Sequence, residues 1–497
     1  MTSVMVLGAI DLGAESGRVQ RFDFDGDTLR AGDQRRFGNG ASLRDGSLRW
    51  DTAGLWRDIS DAVLRLDAET GDGFAAVGVD TWGLDSVLVR ADGSLVEEPV
   101  CYRDPRQLRG RERAIATVGA RRLHGETGAH LLSGNAVFGW SDMASAPGGF
   151  DDVDAVLMIA DHLHSRLSGS RVSEASIAST SGAIDMRTGG WSHGLLTDLG
   201  IPLRVLPDLV PAGTDLGPVT GVRGIRSATR VIAPASHDTA SAVLGTPGID
   251  ERSVFISSGT WSLVGMNRPE AVISEATFLE SLTNETTVPG TVRVLQNVMG
   301  LWLLQECRRE WRAAGRDIDY AGMVEAARAV PPLFCVIDAN DPSLLATGGM
   351  LARIRSLAAD TADVVPESLG EMVRCVIDSL AVSYRLAIDG LRRSTGVAPD
   401  VIRVSGGGTQ NALLQQATAD ATGLPVIAGP TEATALGNAA MQLRGLGELG
   451  SDAELADLIA RSVQTRIFAP HSDDRWDAAA AVVSRRRLSR HSHETVA

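Results

Sequence analysis

The alternation of apolar and polar residues at the amino end predicts an antiparallel ribbon, a helix and one further strand. Residues 5–10 form an apolar run, a glycine-containing turn follows, and residues 18–24 alternate in character as a half-buried strand does. A second turn leads to a third strand. Apolar residues then recur at helical spacing over 52–66, and residues 75–79 form another strand that ends at Asp80.

The second half of the chain opens in the same way. Residues 253–257 and 261–266 are typical of two strands joined by a tight turn. A later strand at 401–404 runs through three glycines into a helix at 409–421. Further helices are predicted at 300–313, 369–392 and 432–445.

Length and composition fit a soluble globular protein with more than one domain. The chain has 497 residues, of which 44% are hydrophobic, 22% charged and 4% aromatic. A domain usually holds about 100 to 200 residues. Because both halves open alike, we predict two related α/β domains, residues 1–245 and 246–497. The tail from about residue 485 is basic, and we expect it to fray.

Charge and residue usage exclude several classes of protein. The 47 basic and 62 acidic residues give a net charge of −15, so the surface repels nucleic acid and anionic membranes and favours small-molecule partners. Every basic residue is arginine, which rules out a P-loop lysine and a Schiff-base lysine. The four cysteines form no C-x-x-C pair, which fits a reducing cytoplasm.

Asp11 ends the first predicted strand and is followed by a turn with glycines at both ends, Gly13 and Gly17. Successive N–H groups in such a turn converge on an anion, and a carboxylate at a strand end can hold a divalent cation through water. Together they suit a metal-bound polyphosphate. An ordinary hairpin with an acidic end is the alternative, and both interpretations stay open at this point.

Two glycine turns in the second half suit the other parts of a nucleotide. Thr260 lies in a turn of small hydroxyl residues at 257–262, which allows close approach to phosphates. At 406–408 a backbone without Cβ atoms can lie against a planar ring, and the helix start offers free N–H donors. The second turn does not match the dinucleotide pattern G-x-G-x-x-G. A plain structural turn is the alternative interpretation of each segment.

Asp238 lies in the sequence Ser236-His237-Asp238-Thr239, between a predicted strand and a predicted helix. Capping that helix is the commoner role of an aspartate so placed. A helix start keeps a carboxylate ionised, so we expect a pKa near about 4. That value suits phosphoryl transfer to an alcohol, because a loose transition state requires an oriented hydroxyl and late proton acceptance rather than a strong base.

Other polar positions interrupt apolar stretches near predicted strand ends, where α/β proteins bind ligands. Gly83 permits close approach of a ligand, whereas Trp82 beside it is expected in the core. Asn297 either caps the following helix or binds a ligand hydroxyl, and Gln305 faces a nucleotide or the solvent. Five histidines have no metal-ligand spacing, and we expect them at the surface: His124, His130, His162, His164 and His193.

Seven ordered segments together resemble the FGGY family of carbohydrate kinases, in the actin, hexokinase and sugar kinase superfamily, and within it the rhamnulokinase subfamily. In chain order they are DLGAESGR (11–18), VDTWGLDSVL (79–88), VCYRDPR (100–106), ASHDTASAV (235–243), SSGTWSLVG (257–265), NVMGLWLLQE (297–306) and VSGGGTQNALL (404–414). The likeness extends from Asp11 to about Leu443, which is nearly the whole chain.

The resemblance implies two ribonuclease-H-like domains with an active-site cleft between them, the first binding sugar and the second MgATP. It implies that Asp238 is the proton acceptor and that Asp11 is linked to the metal. The implied nucleotide contacts are Ala14, Glu15, Ser16, Gly17, Arg18, Thr260, Gln305 and Gly407. The implied sugar contacts are Gly83, His237, Asp238, Thr239 and Asn297. The implied reaction is cytoplasmic transfer of a phosphoryl group from ATP, with Mg²⁺, to the 1-hydroxyl of L-rhamnulose.

The sequence departs from the subfamily pattern at two places in its first half. Residues 134–140 read GNAVFGW where an FNTLYQ-like stretch is common, and residues 159–163 read IADHL where an MPDYF-like segment is expected. Another ketose (L-fuculose, L-ribulose or D-xylulose) is therefore an alternative substrate. A non-catalytic sugar or nucleotide sensor is a further alternative, which the presence of Asp11 and Asp238 disfavours. We expect a ketose and ATP as partners, neither nucleic acid nor membrane, and the resemblance is compatible with a homodimer.

Overall fold

The structure is a computed structural model that describes residues 4–226, 228–360 and 364–494. Its strands are β1 (Met5–Leu12), β2 (Ser16–Phe24), β3 (Leu29–Gly38), β4 (Ser42–Arg44), β5 (Ser47–Arg49), β6 (Ala76–Thr81), β7 (Ser86–Val89), β8 (Ala155–Met158), β9 (Ser173–Glu174), β10 (Ile184–Asp185), β11 (Gly190–Trp191), β12 (Leu209–Val210), β13 (Thr214–Pro218), β14 (Arg230–Ala233), β15 (Ser253–Ser258), β16 (Trp261–Arg268), β17 (Thr283–Val288), β18 (Thr291–Met299), β19 (Val401–Ser405), β20 (Val426–Ala428) and β21 (Arg466–Phe468).

Its α-helices are α1 (Thr52–Ala68), α2 (Pro105–Val118), α3 (Ala120–Thr127), α4 (Ala136–Ala144), α5 (Ile159–Ser168), α6 (Ala175–Ser179), α7 (His193–Asp198), α8 (Asp238–Leu244), α9 (Glu275–Leu279), α10 (Trp302–Ala313), α11 (Tyr320–Arg328), α12 (Met350–Ala359), α13 (Leu369–Thr395), α14 (Ala412–Thr422), α15 (Ala433–Gly445), α16 (Asp452–Ser462) and α17 (Arg475–Glu494). Short 3-10 helices lie at Leu203–Val205, Pro342–Leu345 and Gly407–Gln410.

The chain forms two compact units. The first consists of Met1–Gly248, Asn267–Val294 and Glu432–Val463, and the second of Ile249–Met266, Leu295–Thr431 and Gln464–Ala497. The sequence predicts a single division of the linear chain near residue 245. In the structure, two segments of the second half, 267–294 and 432–463, belong to the first unit.

The sheet of the first unit has the strand order β13-β14-β6-β1-β2-β3. The predicted antiparallel ribbon is confirmed, since β1 pairs with β2 and β2 with β3 in antiparallel register. Strands β1, β6 and β14 run parallel to one another. Their carboxyl ends therefore meet at one edge of the sheet, which is where ligands bind in α/β proteins.

Helix α1 covers one face of this sheet because its apolar residues recur at helical spacing. Leu55, Ile59 and Val63 are buried in one core with the sheet residue Val79. The carboxylate of Asp51 starts the helix by accepting a hydrogen bond from the Gly54 N–H at 2.9 Å. The helix predicted at 52–66 is confirmed as α1, although two short strands that were not predicted, β4 and β5, come between the ribbon and this helix.

On the opposite face, α8 and α15 touch through their backbones. A Cβ atom at Gly245 would overlap the carbonyl oxygen of Ala433, and one at Gly437 would overlap that of Ser241. Only glycine allows this approach. The contact fixes α8, whose first residue is Asp238, against the helix that packs on β1 and β6.

The sheet of the second unit has β18, β16, β15, β19, β20 and β21 side by side in that order. The predicted pair of strands is confirmed as the antiparallel hairpin β15–β16, and β15 runs parallel to β19. The helix predicted at 409–421 begins later, at Ala412, after a 3-10 turn. The reason is local, because Asn411 accepts a hydrogen bond from the Leu414 N–H at 3.1 Å and thereby caps the helix.

The expected surface position of the histidines is wrong for His124, His162 and His164, which are buried. His164 Nε2 accepts a hydrogen bond from the Val79 N–H at 3.1 Å, and burial lowers the pKa of His164 to about 3. A neutral histidine used in this way is part of the core.

At the carboxyl end, α17 continues to Glu494, so residues 485–494 of the predicted frayed tail lie in a helix. Residues 495–497 of that tail lie outside the described residues. No helix in the described part of the chain is both long and apolar enough to cross a membrane.

Candidate active site

Asp11 and Asp80 lie side by side at the carboxyl ends of β1 and β6. Their Cα atoms are partners in the parallel register. Asp80 is fully buried, and its Oδ2 accepts a hydrogen bond from Asn438 Nδ2 at 2.6 Å. Burial, followed by repulsion from Asp11, raises the pKa of Asp80 well above its usual range. Two carboxylates therefore share this sheet edge.

Arg18 balances the charge of Asp11. The two residues face each other across the β1–β2 ribbon, and Arg18 Nε donates to Asp11 Oδ2 at 3.0 Å. Arg18 Nη1 also donates to Glu432, the residue before α15. The predicted nucleotide contact Arg18 is thus held in the first unit between two carboxylates.

The turn between β1 and β2 is as tight as its glycines predict. The Gly13 N–H donates to the carbonyl oxygen of Ser16 at 2.9 Å, and a Cβ atom at Gly17 would overlap Leu12 and Phe37. Glu15 and Ser16 are exposed, whereas Ala14 is half-buried. The accessible part of this turn is therefore residues 14–16, whereas Gly17 is buried and Arg18 lies opposite Asp11 on β2.

Asp238 follows β14 at the same edge of the sheet. The Thr81 N–H donates to the carbonyl oxygen of Ser236 at 2.9 Å, and Thr81 pairs with His237 in a parallel bridge. Thr239 Oγ1 donates to Asp238 Oδ1 at 3.2 Å. The structure thus brings Asp11, Asp238 and the predicted sugar contacts His237 and Thr239 to one sheet edge.

The prediction that Asp238 keeps an ordinary pKa near about 4 is wrong, because its pKa is raised. Its side chain keeps 31% exposure, yet protein surrounds the carboxyl group closely enough that burial raises its pKa above the usual value. His237 opposes this change and Asp11 adds to it. The prediction considered only the helix start, which acts on the pKa of Asp238 locally. The burial that raises this pKa arises only when the unit folds.

Gly83 lies where β6 turns back toward β7. A Cβ atom at Gly83 would stand 2.9 Å from Thr180, and the Leu84 N–H donates to Thr180 Oγ1 at 3.0 Å. Trp82 is buried, as expected, and its Nε1 donates to Asp85 Oδ2 at 2.8 Å. Glycine at 83 is therefore required by packing in addition to its predicted ligand role.

Sequence reasoning missed Glu174, which holds the segment before Asp238. The Ser236 N–H donates to Glu174 Oε2 at 2.9 Å, and the His237 N–H donates to Ser176 Oγ at 3.1 Å. Ser176 Oγ in turn donates to Glu174 Oε2 at 2.5 Å. The buried carboxylate thus orders the backbone of Ser236 and His237.

The divergent segment at 159–163 supports Glu174. Asp161, in α5, is buried, and its Oδ1 accepts a hydrogen bond from the Glu174 N–H at 3.0 Å. Its Oδ2 accepts one from Ser173 Oγ at 2.8 Å. Burial raises the pKa of Asp161 well above its usual range. The other divergent segment contains Asn135, which is buried just before α4.

Sequence reasoning also missed Glu285 and Arg293, which surround the His237 side chain. Arg293 Nη2 lies 3.1 Å from His237 Nδ1 and 2.9 Å from Glu285 Oε2. His237 Nε2 lies 3.3 Å from Asp238 Oδ1. Charged residues are mostly exposed in proteins, so the residues around Glu285 and Arg293 do not indicate that these two side chains are buried.

The second unit brings three of the predicted nucleotide contacts to neighbouring strand ends. Thr260 lies in the β15–β16 turn, and Gln305 Nε2, in α10, donates to Thr260 Oγ1 at 3.4 Å. Gly407 follows β19, the parallel neighbour of β15. Asn297 lies half-buried on β18 of the same unit.

The triple glycine has one open and one packed face. A Cβ atom at Gly406 would stand 2.8 Å from the carbonyl oxygen of Ser258, and one at Gly408 would overlap Ser258 Oγ. At Gly407, by contrast, a Cβ atom would meet nothing within 4 Å. The backbone at Gly407 therefore presents an open surface, as a ring contact requires.

A separate cavity of about 510 Å³ in the first unit is lined by residues that include Glu174, Met186, Thr287 and Val292. None of the predicted site residues lines it. Within the described ranges, no group of three or more His, Cys, Asp or Glu side chains is arranged to hold a metal ion.

Comparison with known proteins agrees with these features. Residues 5–245 match the model of the N-terminal domain of the FGGY family of carbohydrate kinases, and residues 254–446 match that of its C-terminal domain. A rhamnulokinase from Bacteroides thetaiotaomicron is 36% identical over 476 residues, which cover 95% of this chain and 97% of that protein. A rhamnulokinase from Pectobacterium carotovorum is 36% identical over 471 residues, 94% of this chain and 93% of that protein.

The fold is shared with solved sugar kinases. The crystal structure of xylulose kinase from Rhodospirillum rubrum matches with a TM-score of 0.80 at 19% identity and covers 99% of both chains. Both halves of the chain match the two family models, and relatives at 36% identity match it along nearly its whole length. The chain therefore belongs to the FGGY family of carbohydrate kinases.

Proposed function

We propose that this carbohydrate kinase is a rhamnulokinase, which transfers the γ-phosphoryl group of ATP to the 1-hydroxyl of L-rhamnulose. The products are L-rhamnulose 1-phosphate and ADP. The observation that carries the proposal is the position of Asp238 beside Asp11 at one sheet edge, in a chain similar to named rhamnulokinases over 95% of its length.

In the proposed step, the 1-hydroxyl oxygen forms a bond to the γ-phosphorus while the bond from that phosphorus to the leaving oxygen of ADP breaks. The hydroxyl proton passes to the carboxylate of Asp238. Because the transition state is loose, this transfer is late and needs an oriented acceptor more than a strong one. The raised pKa of Asp238 makes its ionised form a better acceptor than an ordinary aspartate.

Asp11 is the proposed link to Mg²⁺. In proteins this ion usually binds one or two carboxylates, and substrate phosphates and water complete its ligands. Asp11 and Asp80, which are partners in the parallel register, would supply the two carboxylates. Asp80 Oδ1 has no hydrogen-bond donor among the described residues, so the oxygen donors fit the ion. When bound, Mg²⁺ neutralises charge on the phosphoryl group in transfer.

The proposed nucleotide contacts remain those of the three glycine-containing turns, together with Gln305 in α10. Residues Ala14 to Arg18 offer backbone N–H groups and one guanidinium, while Thr260, Gln305 and Gly407 offer a hydroxyl, an amide and an open backbone face. The proposed sugar contacts are Gly83, His237, Asp238, Thr239 and Asn297.

The identity of the ketose is tested by a panel. L-rhamnulose, L-fuculose, L-ribulose and D-xylulose are compared by kcat/KM in a coupled ADP-release assay, with ATP alone as the baseline. We expect L-rhamnulose to give the highest value, because one misfitted hydroxyl leaves buried polar groups unpaired. Phosphorus NMR of the product shows whether the phosphate is on the 1-hydroxyl.

Either alternative has a distinct result in that panel. A higher kcat/KM with another ketose assigns the enzyme to that sugar. No ketose-dependent ADP release, together with ketose or ATP binding by calorimetry, identifies a sensor instead of an enzyme.

The partners and location follow from the proposed reaction. We propose a cytoplasmic enzyme whose partners are a ketose and ATP, with neither nucleic acid nor membrane. The net charge of −15 and the four free, buried cysteines support this. A homodimer is also proposed, and light scattering of the purified chain measures it directly.

A further inference from the structure

The imidazole of His237 lies between two carboxylates. Its Nε2 is 3.3 Å from Asp238 Oδ1, and its Nδ1 is 3.2 Å from Glu285 Oε2. An imidazole in such a position usually takes up a second proton, because both carboxylates favour the cation. An imidazolium would pair with Asp238 and weaken it as a proton acceptor.

Arg293 prevents this arrangement. Its Nη2 donates one hydrogen bond to Glu285 Oε2 at 2.9 Å and another to His237 Nδ1 at 3.1 Å. A protonated Nδ1 would have to donate to Glu285 Oε2, 3.2 Å away. In the hydrogen bond with Arg293, by contrast, Nδ1 accepts and carries no proton, because a guanidinium has no acceptor. The remaining ring proton is then on Nε2, the nitrogen that faces Asp238.

Burial of these side chains strengthens the electrostatic effect of Arg293 on the imidazole. The side chain of Arg293 is fully buried, and those of His237 and Glu285 are 7% and 8% exposed. Arginine stays charged in such surroundings, and its charge opposes a second positive charge on the ring 3.1 Å away.

Other charged groups lie near this cluster. Besides Glu285, the carboxylates of Asp238 and Glu174 attract Arg293. From β1 and β6, Asp11 acts on the carboxyl group of Asp238, and Asp238 acts on that of Asp80. Arg293 and His237 therefore share Glu285, and Arg293 places a positive charge beside the imidazole.

We propose that Arg293, anchored by Glu285, is a positioning residue that keeps His237 neutral, with its single ring proton on Nε2 and directed at Asp238. The inference rests on the proposed function in that Asp238 is the proton acceptor. Under it, His237 orients the Asp238 carboxylate by donating a hydrogen bond and does not compete for the substrate proton.

The tautomer is measured by nitrogen NMR of the full chain labelled at histidine, without substrate. His237→Gln identifies the His237 signals among those of the nine histidines. At pH 7 we expect a neutral ring with a protonated Nε2. A wild-type ring that is protonated on Nδ1 only, or on both nitrogens, overturns the proposal.

Steady-state kinetics with the ketose that gives the highest kcat/KM in the panel test whether Arg293 affects the reaction through His237. Arg293→Met should lower kcat at pH 7 at least about tenfold and move the acid limb of the kcat profile up by about one pH unit or more, because without the guanidinium both carboxylates favour a second proton on the imidazole. Arg293→Lys, which keeps a donor, should retain the wild-type limb. Arg223→Met, at an exposed arginine, is the matched control.

The double variant Arg293→Met with Glu285→Gln removes the buried charge pair together. It should return the acid limb toward that of the wild type, because Glu285 no longer favours the imidazolium. A lowered kcat with an unmoved limb in Arg293→Met indicates a purely structural role and overturns the proposal. If Arg293→Met does not fold, the wild-type spectrum and the double variant decide the question.

The two proposals fail in different ways. The NMR measurement contains no ketose and no ATP, so it tests the His237 tautomer even if no ketose is phosphorylated. Absence of ketose phosphorylation by the wild type removes the proposed function, whereas a wrong tautomer in an active kinase removes only the role of Arg293.

Discussion

The buried carboxylate of Glu174 accepts a hydrogen bond from the backbone N–H of Ser236 at 2.9 Å, two residues before the proposed proton acceptor Asp238. Glu174 also accepts hydrogen bonds from Ser176 and Ile177, so its two oxygens face only donors. The backbone that presents His237 and Asp238 is thus held in place by the carboxylate of Glu174 and by the Ser176 hydroxyl bound to it.

Glu174→Gln should weaken this support. The amide nitrogen of glutamine is a donor and would face another donor, so we expect a loss of about 1–3 kcal/mol in the free energy of unfolding. We also expect kcat to fall, because the backbone before Asp238 loses its fixed position. Urea unfolding and steady-state kinetics measure the two effects. Glu448→Gln, at an exposed glutamate, is the control; equal behaviour of the two variants would contradict the assigned role.

The triple glycine offers a matched pair of substitutions. Gly407→Ala places a methyl group in open space, so the midpoint of thermal unfolding should change little while KM for ATP rises. Gly408→Ala forces a methyl group into Ser258 and should cost about 1–3 kcal/mol of stability. Differential scanning calorimetry and ATP kinetics separate the two. An unchanged KM for ATP in a folded Gly407→Ala enzyme would remove Gly407 from the nucleotide site.

Asp85 predicts a pH dependence of stability. Burial raises its pKa from 3.8 to about 7, although hydrogen bonds from Trp82 and Trp50 oppose the change. Between these two values the folded state binds more protons than the unfolded state, so stability falls as pH rises, by up to about 1.4 kcal/mol per pH unit. The loss begins near the unfolded pKa and is complete above the folded one.

Asp85→Asn isolates this contribution, because asparagine does not titrate. The difference in unfolding free energy between wild type and variant, from urea titrations at pH 5 and pH 8, should shift in favour of the variant at the higher pH. A difference that is the same at both pH values would show that the Asp85 carboxyl titrates normally in the folded protein.

Asp11→Asn should raise the Mg²⁺ concentration needed for half-maximal kcat by about tenfold or more, since one of the two carboxylates at the sheet edge is lost. A Mg²⁺ titration of kcat at saturating ATP and ketose measures it. Asp33→Asn, at an exposed aspartate on β3, serves as control. The proposed metal link fails if both variants show the wild-type Mg²⁺ requirement.

Local patterns predicted what is local in this molecule. The antiparallel ribbon β1–β2–β3 follows from the alternation of apolar and polar residues along the strands and from the tight turns between them. Both signals lie within a short stretch of sequence. The position of Asp11 at a strand end and the glycine-containing turn after it are predictable because both depend on neighbouring residues in the sequence. The later start of α14 escaped prediction because glycines 406–408 and the cap at Asn411 replace the first helical turn.

The features that could not be predicted are contacts between segments that are distant in the sequence. Glu174, Glu285 and Arg293 reach the Ser236–Asp238 segment only through tertiary packing, and the sequence around a single charged residue gives no sign that it is buried. The pKa of Asp238 was misjudged for that reason. The buried histidines are a second case, since His164 is satisfied by the backbone of β6 rather than by water.

The central claim is that Asp238 takes the hydroxyl proton, and Asp238→Asn tests it most directly. Asparagine keeps the size of the side chain and the hydrogen bond from Thr239 but cannot accept a proton at working pH. Steady-state kinetics of the variant with ATP and L-rhamnulose, alongside calorimetric binding of both ligands, gives the answer. We predict affinities within a few fold of wild type and a kcat reduced by about 10²–10⁴; a kcat close to that of the wild type would contradict the account.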